Sequence, residues 1–301
     1  MIRPALRSRL RLALALCALL AAQAFALDPG ARLPLWEIRS DSATAYLFGT
    51  VHVGRQDFYP LPAAVEKAYR SSQAVALEID STDVQALSAA VAVAIYQPPD
   101  VLDKHLPAPL LERLKGAMAR IGVDYAQVQR MKPFMAMLML TSAEYSKLGY
   151  DATMGLDIHF ADRAVPEGKR IVQLESAAAQ FGMMDSLSPG LQEELLAITL
   201  DEIEAGKVSS LVKEMLSAWT VADLGRLQRV LTEEERKLSP ARAREFHEKF
   251  LASRNAGMAQ KIDSMLKERT AVFIAVGAAH ALGEDGLVEL LKKKGYRVRQ
   301  L

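Results

Sequence analysis

Five short segments read as strands, at 45–50, 74–79, 170–174, 271–276 and 297–301. Most are continuous rather than alternating, as expected of parallel strands buried on both faces. Long stretches of helical spacing separate them. A short helix is predicted over 62–71, with Ala63, Ala64, Val65 and Ala68 as its apolar positions. A second is predicted over 286–294, with Leu287, Leu290 and Leu291 on one face and Gly295 stopping it at the position that favours a left-handed turn. The last expected strand follows directly.

The segments 82–162 and 189–266 read as helical insertions. Pro98-Pro99, Pro107 and Pro109 mark loops or helix starts in the first. The second carries charge runs such as Glu233-Glu234-Glu235-Arg236-Lys237, which read as solvated helix faces. No fixed-period repeat, low-complexity linker or composition break divides the chain. The expected fold is α/β: a mainly parallel central sheet, with the insertions forming a cap, in one domain over 27–301.

The first 26 residues read as a cleaved leader. Arg3, Arg7, Arg9 and Arg11 precede an unbroken apolar run over 12–22, and Ala24-Phe25-Ala26 has the small-x-small pattern of a signal-peptidase site. The run is too short to span a bilayer, which takes about 20 residues. The expected location is periplasmic or secreted, with no stable membrane span after cleavage. Cys17, the one cysteine, follows the bulky Leu16 inside the apolar run, which suits a lipoprotein poorly.

Composition narrows the chemistry. The 301 residues carry 37 Lys and Arg against 36 Asp and Glu, a net charge of +1 without the basic surplus of a polyanion binder, so nucleic acid is not an expected partner. A single cysteine excludes a disulfide framework, a thiolate zinc site and a CxxC redox motif. No P-loop, Gly-x-Gly-x-x-Gly or Gly-x-Ser-x-Gly motif occurs.

Open parallel sheets bind ligands at the carboxyl ends of their strands. The first and fourth runs end in Gly49-Thr50-Val51-His52 and Gly277-Ala278-Ala279-His280; the second and third end in Leu77-Glu78 and Leu174-Glu175. Neighbouring strands lie about 4.8 Å apart, so four such ends converge on one site. Taken singly, each residue has a blander reading as a satisfied polar group, a cap or an ion-pair partner. Together, two imidazoles and two carboxylates suit a divalent transition metal with vacant positions. Gly49 and Gly277 would let the chain turn and a ligand approach the backbone. Asp157, in Met154-Gly155-Leu156-Asp157-Ile158-His159, stands at a helix start, either as a cap or as a member of the site. Arg254-Asn255 is either a surface pair or a clamp for a carboxylate or phosphate. His247-Glu248 lacks the second histidine of a zincin helix, because Leu251 stands four positions on. His105 reads as a loop residue among prolines, and Met131, Met135, Met137 and Met139 as one buried helix.

The set Leu47-Phe48-Gly49-Thr50-Val51-His52, Leu77-Glu78, Met154-Gly155-Leu156-Asp157, Leu174-Glu175, Arg254-Asn255 and Gly277-Ala278-Ala279-His280 resembles the TraB/GumN family, related to the Tiki metalloproteases. The final Gly286-Leu287 and Gly295-Tyr296 block extends the resemblance over nearly the whole chain after the leader. It implies a fold like that of the erythromycin-esterase-like hydrolases and the ChaN haem-binding lipoproteins. It also implies a metal-dependent protease using manganese or cobalt, with His52 and His280 essential.

The leading expectation is therefore an exported, Tiki-like metal-dependent peptidase acting on a peptide or other small extracytoplasmic substrate. His52, Glu78 and His280 would hold the metal. Glu175 would be general base or a further ligand, Arg254 would orient the substrate, and Asp157 would assist. Glu78 and Glu175 have the same local form, so the base is not assigned between them. The alternatives are a haem- or metal-binding protein without turnover, a peptide-sequestering protein, and a metal-free esterase or amidase in which Glu78 orients His52 as base.

Overall fold

The computed structural model describes Leu27, residues 31–41 and residues 43–301. The leader expected over residues 1–26, with Cys17, lies outside them. A six-stranded sheet organises the chain. Its strands are β1 (Leu35–Arg39), β2 (Thr44–Thr50), β3 (Ala74–Leu77), β4 (Arg170–Gln173), β5 (Val272–Gly277) and β6 (Arg297–Gln300), in the order β4-β3-β5-β2-β1-β6. β4, β3, β5 and β2 are parallel neighbours. β1 is antiparallel to both β2 and β6, so the sheet is mixed.

β1 has no counterpart among the five expected runs. In Leu35-Trp36-Glu37-Ile38-Arg39 the buried Glu37 breaks the apolar run. Arg39 and Arg299 neutralise it, at 2.9 and 3.1 Å. Arg299 belongs to β6, at the far end of the chain, so the strand is stabilised by a partner that local spacing does not show.

β5 is buried at every position. Its Phe273 and Ala275 join the core on one face of the sheet, while Val272, Ile274 and Val276 join the core on the other. Covering both faces explains the unbroken apolar runs. The first face packs on α1 (Ala63–Arg70) and, between β3 and β4, on α6 (Leu156–Ala164). The segment between β3 and β4 also holds α2 (Val84–Val91), α3 (Ala108–Arg120), the single turn α4 (Tyr125–Val128) and α5 (Pro133–Lys147). Between β4 and β5 come α7 (Ala177–Asp185), α8 (Pro189–Glu204), α9 (Val208–Trp219), α10 (Leu224–Glu235), α11 (Pro240–His247) and α12 (Ser253–Lys267). α12 buries Met258, Ala259, Ile262, Met265 and Leu266, a helical stripe, against the second face. α13 (Leu287–Lys293) packs beside it through Leu287 and Leu291 and stops at Gly295, whose φ is +93°. α3, α5 and α8 share a further core around Leu114, Leu140 and Leu196. Among the described residues no helix is long and apolar enough to cross a membrane.

Candidate functional site

Strand order sets the site. At the carboxyl ends of β4, β3, β5 and β2 stand Glu175, Glu78, His280 and His52, in that spatial sequence. Helices deliver the rest: Asp157 from the first turn of α6, Gln180 from α7, and Arg254 and Asn255 from the start of α12. A π-helical turn at Glu248–Ala252 precedes α12, and Arg254 Nη1 donates to the Phe250 carbonyl at 3.1 Å. Such turns often accompany functional residues. Thr50, His52, Glu78, Asp157, Arg254 and His280 all line one cavity of about 810 Å³.

His52 and Asp157 form one half of the site. The His52 Nδ1–H donates to Asp157 Oδ2 at 2.5 Å, and the Thr50 hydroxyl donates to the other Asp157 oxygen. Asp157 thus orients His52, where Glu78 had been expected to do so. The imidazole is 64% exposed and borders the cavity. The Asp157 charge raises the His52 pKa to about 10 against the opposing effect of burial, with Glu78 adding to the rise. The Asp157 charge thus favours the imidazolium form of His52.

Arg254 binds the two carboxylates together. Its Nη2 donates to Glu78 Oε2 at 2.8 Å and to Glu175 Oε2 at 2.7 Å, and its Nε lies 3.0 Å from both Glu175 oxygens. Gln180 Nε2 donates to the same pair, at 2.9 and 3.1 Å. Glu78 Oε1 accepts from the Gly277 N–H at 2.7 Å. Burial favours the neutral Glu78 carboxyl, but in the acid range where it titrates the charges of His280, His52 and Arg254, with the Gly277 N–H, hold it down at about 2.

His280 is buried, and its protonation is governed by that. Burial lowers its pKa to about 4 against the attraction of Glu78, so the ring is neutral at pH 7. Asn255 Nδ2 donates to the Asp285 carbonyl at 2.8 Å, which turns Asn255 Oδ1 toward His280 Nδ1 at 2.6 Å. The proton therefore sits on Nδ1, and Nε2 presents its lone pair 3.8 Å from Glu78 Oε2. His52 and His280 thus favour opposite protonation states in one cavity.

Gly277 is open for a reason. A Cβ there would lie 3.0 Å from His52 Nε2 and 3.3 Å from Glu78 Oε1, so both groups face the space above its Cα. Gly49 differs: β2 runs straight through it, and a Cβ would meet Ala278 and Pro34 at 3.1 and 3.2 Å, so it admits neighbouring chain rather than a ligand.

The expected metal centre is not built. Among the described residues no three His, Cys, Asp or Glu side chains are grouped to hold a metal ion. His52, Glu78 and His280 share the cavity, but the Glu78 oxygens are taken by Arg254, Gln180 and the Gly277 N–H. The Arg254 guanidinium already supplies the cation between Glu78 and Glu175. The expectation of a metal-dependent protease or hydrolase using manganese or cobalt, with its metal-binding and metalloprotease character, is therefore corrected.

The other candidates fall elsewhere. His159 stacks on Tyr59 with ring centroids 4.4 Å apart, and His105 stacks on Tyr96 at 4.2 Å. His247 lies 3.5 Å from Glu235 and 3.4 Å from Asp285. Met131, Met137 and Met139 pack against the core shared by α3, α5 and α8. Gln180 and Thr50 were not singled out from sequence, where nothing distinguishes them from other polar residues.

The profile of the TraB/PrgY/gumN family matches residues 34–300. The chain belongs to that family. TraB/PrgY/gumN membership thus covers every residue of the cavity. Among curated relatives, metalloprotease TIKI2 of Xenopus tropicalis is 26% identical over 314 residues, covering 88% of this chain and 59% of that protein. The metalloprotease TIKI homolog of Nematostella vectensis is 24% identical over 313 residues, covering 88% and 66%. The uncharacterized protein YbaP of Escherichia coli (strain K12) is 24% identical over 247 residues, covering 82% of this chain and 87% of that one. The chain thus spans about 59% of the length of TIKI2. No solved structure gives a significant match.

Proposed function

We propose that the protein is a metal-free acid–base hydrolase of ester or amide bonds. The observation that carries this reading is the His52–Asp157 pair at 2.5 Å, whose His52 Nε2 faces the same space above Gly277 as Glu78 Oε1. His52 arrives protonated and His280 arrives neutral, so an acid and a base stand ready in one cavity.

The substrate carbonyl occupies the space above Gly277. His280 Nε2 and Glu78 together hold the attacking water, and His280 takes its proton. The water oxygen bonds to the carbonyl carbon while His52 Nε2–H donates to the carbonyl oxygen and then to the leaving oxygen or nitrogen. The acyl–oxygen or acyl–nitrogen bond breaks, giving a carboxylic acid and an alcohol or amine. The proton on His280 then returns to His52, the stronger base of the two. Arg254 and Gln180 fix Glu78, and Asn255 fixes the His280 tautomer. The finer likeness to erythromycin-esterase-like hydrolases belongs to this reading, as does an extracytoplasmic location, which rests on the leader pattern of residues 1–26.

The test is turnover of a panel of aryl esters and anilides with and without chelator. Hydrolysis that persists in chelator and falls by about 10²–10⁴-fold in His52→Gln is the expected result. Activity abolished by chelator and restored by manganese or cobalt would overturn the reading.

A further inference from the structure

The cavity does not end at the polar groups. It continues into a chamber walled by the helices between β4 and β5. Leu195 and Ile198 of α8, Met215 of α9, Leu231 of α10, and Phe246 and Phe250 near the end of α11 line it. All six are only part-buried. Large apolar side chains that stop short of full burial beside a cavity leave apolar surface facing it, and covering such surface is favourable. A volume of about 810 Å³ is in the range that encloses a ligand rather than a few waters.

Acidic residues also border the chamber, but they are engaged. Lys237 Nζ donates to Glu202 and, at 2.7 and 2.6 Å, to both oxygens of Glu234. Burial, with Glu202 beside it, raises the Glu234 pKa. Glu235 faces His247 at 3.5 Å. The cavity therefore has an ion-paired, hydrogen-bonding end, at His52, Asp157, Glu78 and Arg254, and an apolar end.

Resting on the hydrolase reading above, we propose that the substrate is an ester or amide of a long-chain apolar carboxylic acid, its acyl chain lying in the Leu195–Ile198–Leu231 chamber. The charge logic places the chain on the acyl side. The oxyanion develops on the carbon that carries the chain, and His52 Nε2 faces the space above Gly277 where that carbon sits. The leaving alcohol or amine bears its own polar group and departs to solvent. Water adds to the acyl carbon, the bond to the leaving oxygen or nitrogen breaks, and the products are a fatty carboxylate and the protonated leaving group.

The experiment compares p-nitrophenyl esters from acetate to dodecanoate, all below their micelle concentrations, with dodecyl acetate, whose chain is on the leaving side. Calorimetric binding of dodecanoate is measured alongside. Burial of each methylene predicts a rise in kcat/KM of about three- to fourfold per carbon until the chamber is filled. Filling variants Ile198→Trp and Leu231→Trp, shown folded by circular dichroism, are expected to cut the dodecanoate-to-acetate ratio at least tenfold and to weaken dodecanoate binding. The truncation Ile198→Ala, which adds no bulk, is expected to shift the optimum to a longer chain. A flat chain-length profile, or preference for dodecyl acetate, would overturn the acyl-chain assignment while leaving the hydrolase reading intact. Dodecanoate bound without hydrolysis of any ester would support the chamber's occupant and overturn the hydrolase reading. Dodecanoate neither hydrolysed nor bound would overturn the assignment itself.

Discussion

Asp157 Oδ2 lies 2.5 Å from His52 Nδ1, joining the first turn of α6 to the loop after β2. The carboxylate fixes the ring and favours its charged form, while the hydroxyl of Thr50 holds the carboxylate from its other oxygen. The charge on His52 is thus a property of a pair, and can be altered without touching the ring.

Asp157→Asn is therefore expected to return the His52 pKa from about 10 toward the ordinary 6.5, as read by NMR titration of the ring. The stability difference from wild type has a defined sign. A raised folded pKa contributes in full below about pH 6.5 and is lost as pH climbs through about 10. Denaturation of the two proteins should therefore differ most below neutrality and converge in the alkaline range. A constant difference across pH would show that Asp157 acts through packing alone.

Arg254 is the residue whose loss should cost most stability. It is 12% exposed, and it separates two carboxylates that are 10% and 13% exposed. Arg254→Met keeps the length of the side chain but leaves Glu78 and Glu175 facing each other with only Gln180 between them. Breaking a buried ion pair from one side costs about 3–5 kcal/mol. Urea denaturation should show a loss of that size, and Arg254→Lys should recover only part of it because the fork is gone.

Two glycines of the site should respond in opposite ways. At Gly277 an added methyl meets only the ends of the His52 and Glu78 side chains, at 3.0 and 3.3 Å. At Gly155 it would lie 2.5 Å from the His52 carbonyl oxygen, which is backbone. Gly277→Ala is expected to fold with a stability change under about 1 kcal/mol and to lose at least tenfold in turnover, since the methyl fills the space assigned to the substrate. Gly155→Ala is expected to lower the melting temperature, at a cost of about 1–3 kcal/mol, because α6 must move off the β2 loop.

The strand ends were readable because parallel strands advertise themselves twice, as unbroken apolar runs and as polar residues where those runs stop. His52, Glu78, Glu175 and His280 were found that way. Their partners Asp157, Arg254 and Asn255 stood out only as candidates with a blander reading beside the functional one, and the pairing of Asp157 with a ring 105 residues away has no local signature. The metal expectation came from the ligand-type side chains at the strand ends together with the family resemblance. It overlooked that Arg254, Gln180 and the Gly277 N–H claim the Glu78 oxygens. β1 escaped notice because Glu37 interrupts its apolar pattern. The apolar wall of the chamber was hidden beneath the charged faces of α8–α11, which were read from their solvent side.

Asn255 offers a way to test the division of labour between the two histidines. Its Oδ1 accepts from His280 Nδ1 at 2.6 Å, and the neutral amide leaves the His280 pKa low, near 4. A carboxylate at that position would accept the same hydrogen bond and add a negative charge, raising the His280 pKa as Asp157 raises that of His52. In the wild type the His280 ring is neutral above about pH 4, so the acid limb of the kcat profile should lie near there. In Asn255→Asp the limb should move toward neutrality, with activity at pH 5 falling more than activity at pH 8. The stability of the wild type carries the same signature. Unfolded His280 takes up a proton before the buried ring does, so stability should decline as pH falls from about 6.5 to about 4, and less so in Asn255→Asp. If the acid limb stays where it was while the protein remains folded, His280 is not the base, and the carboxylate of Glu78, whose pKa lies lower still, takes that role.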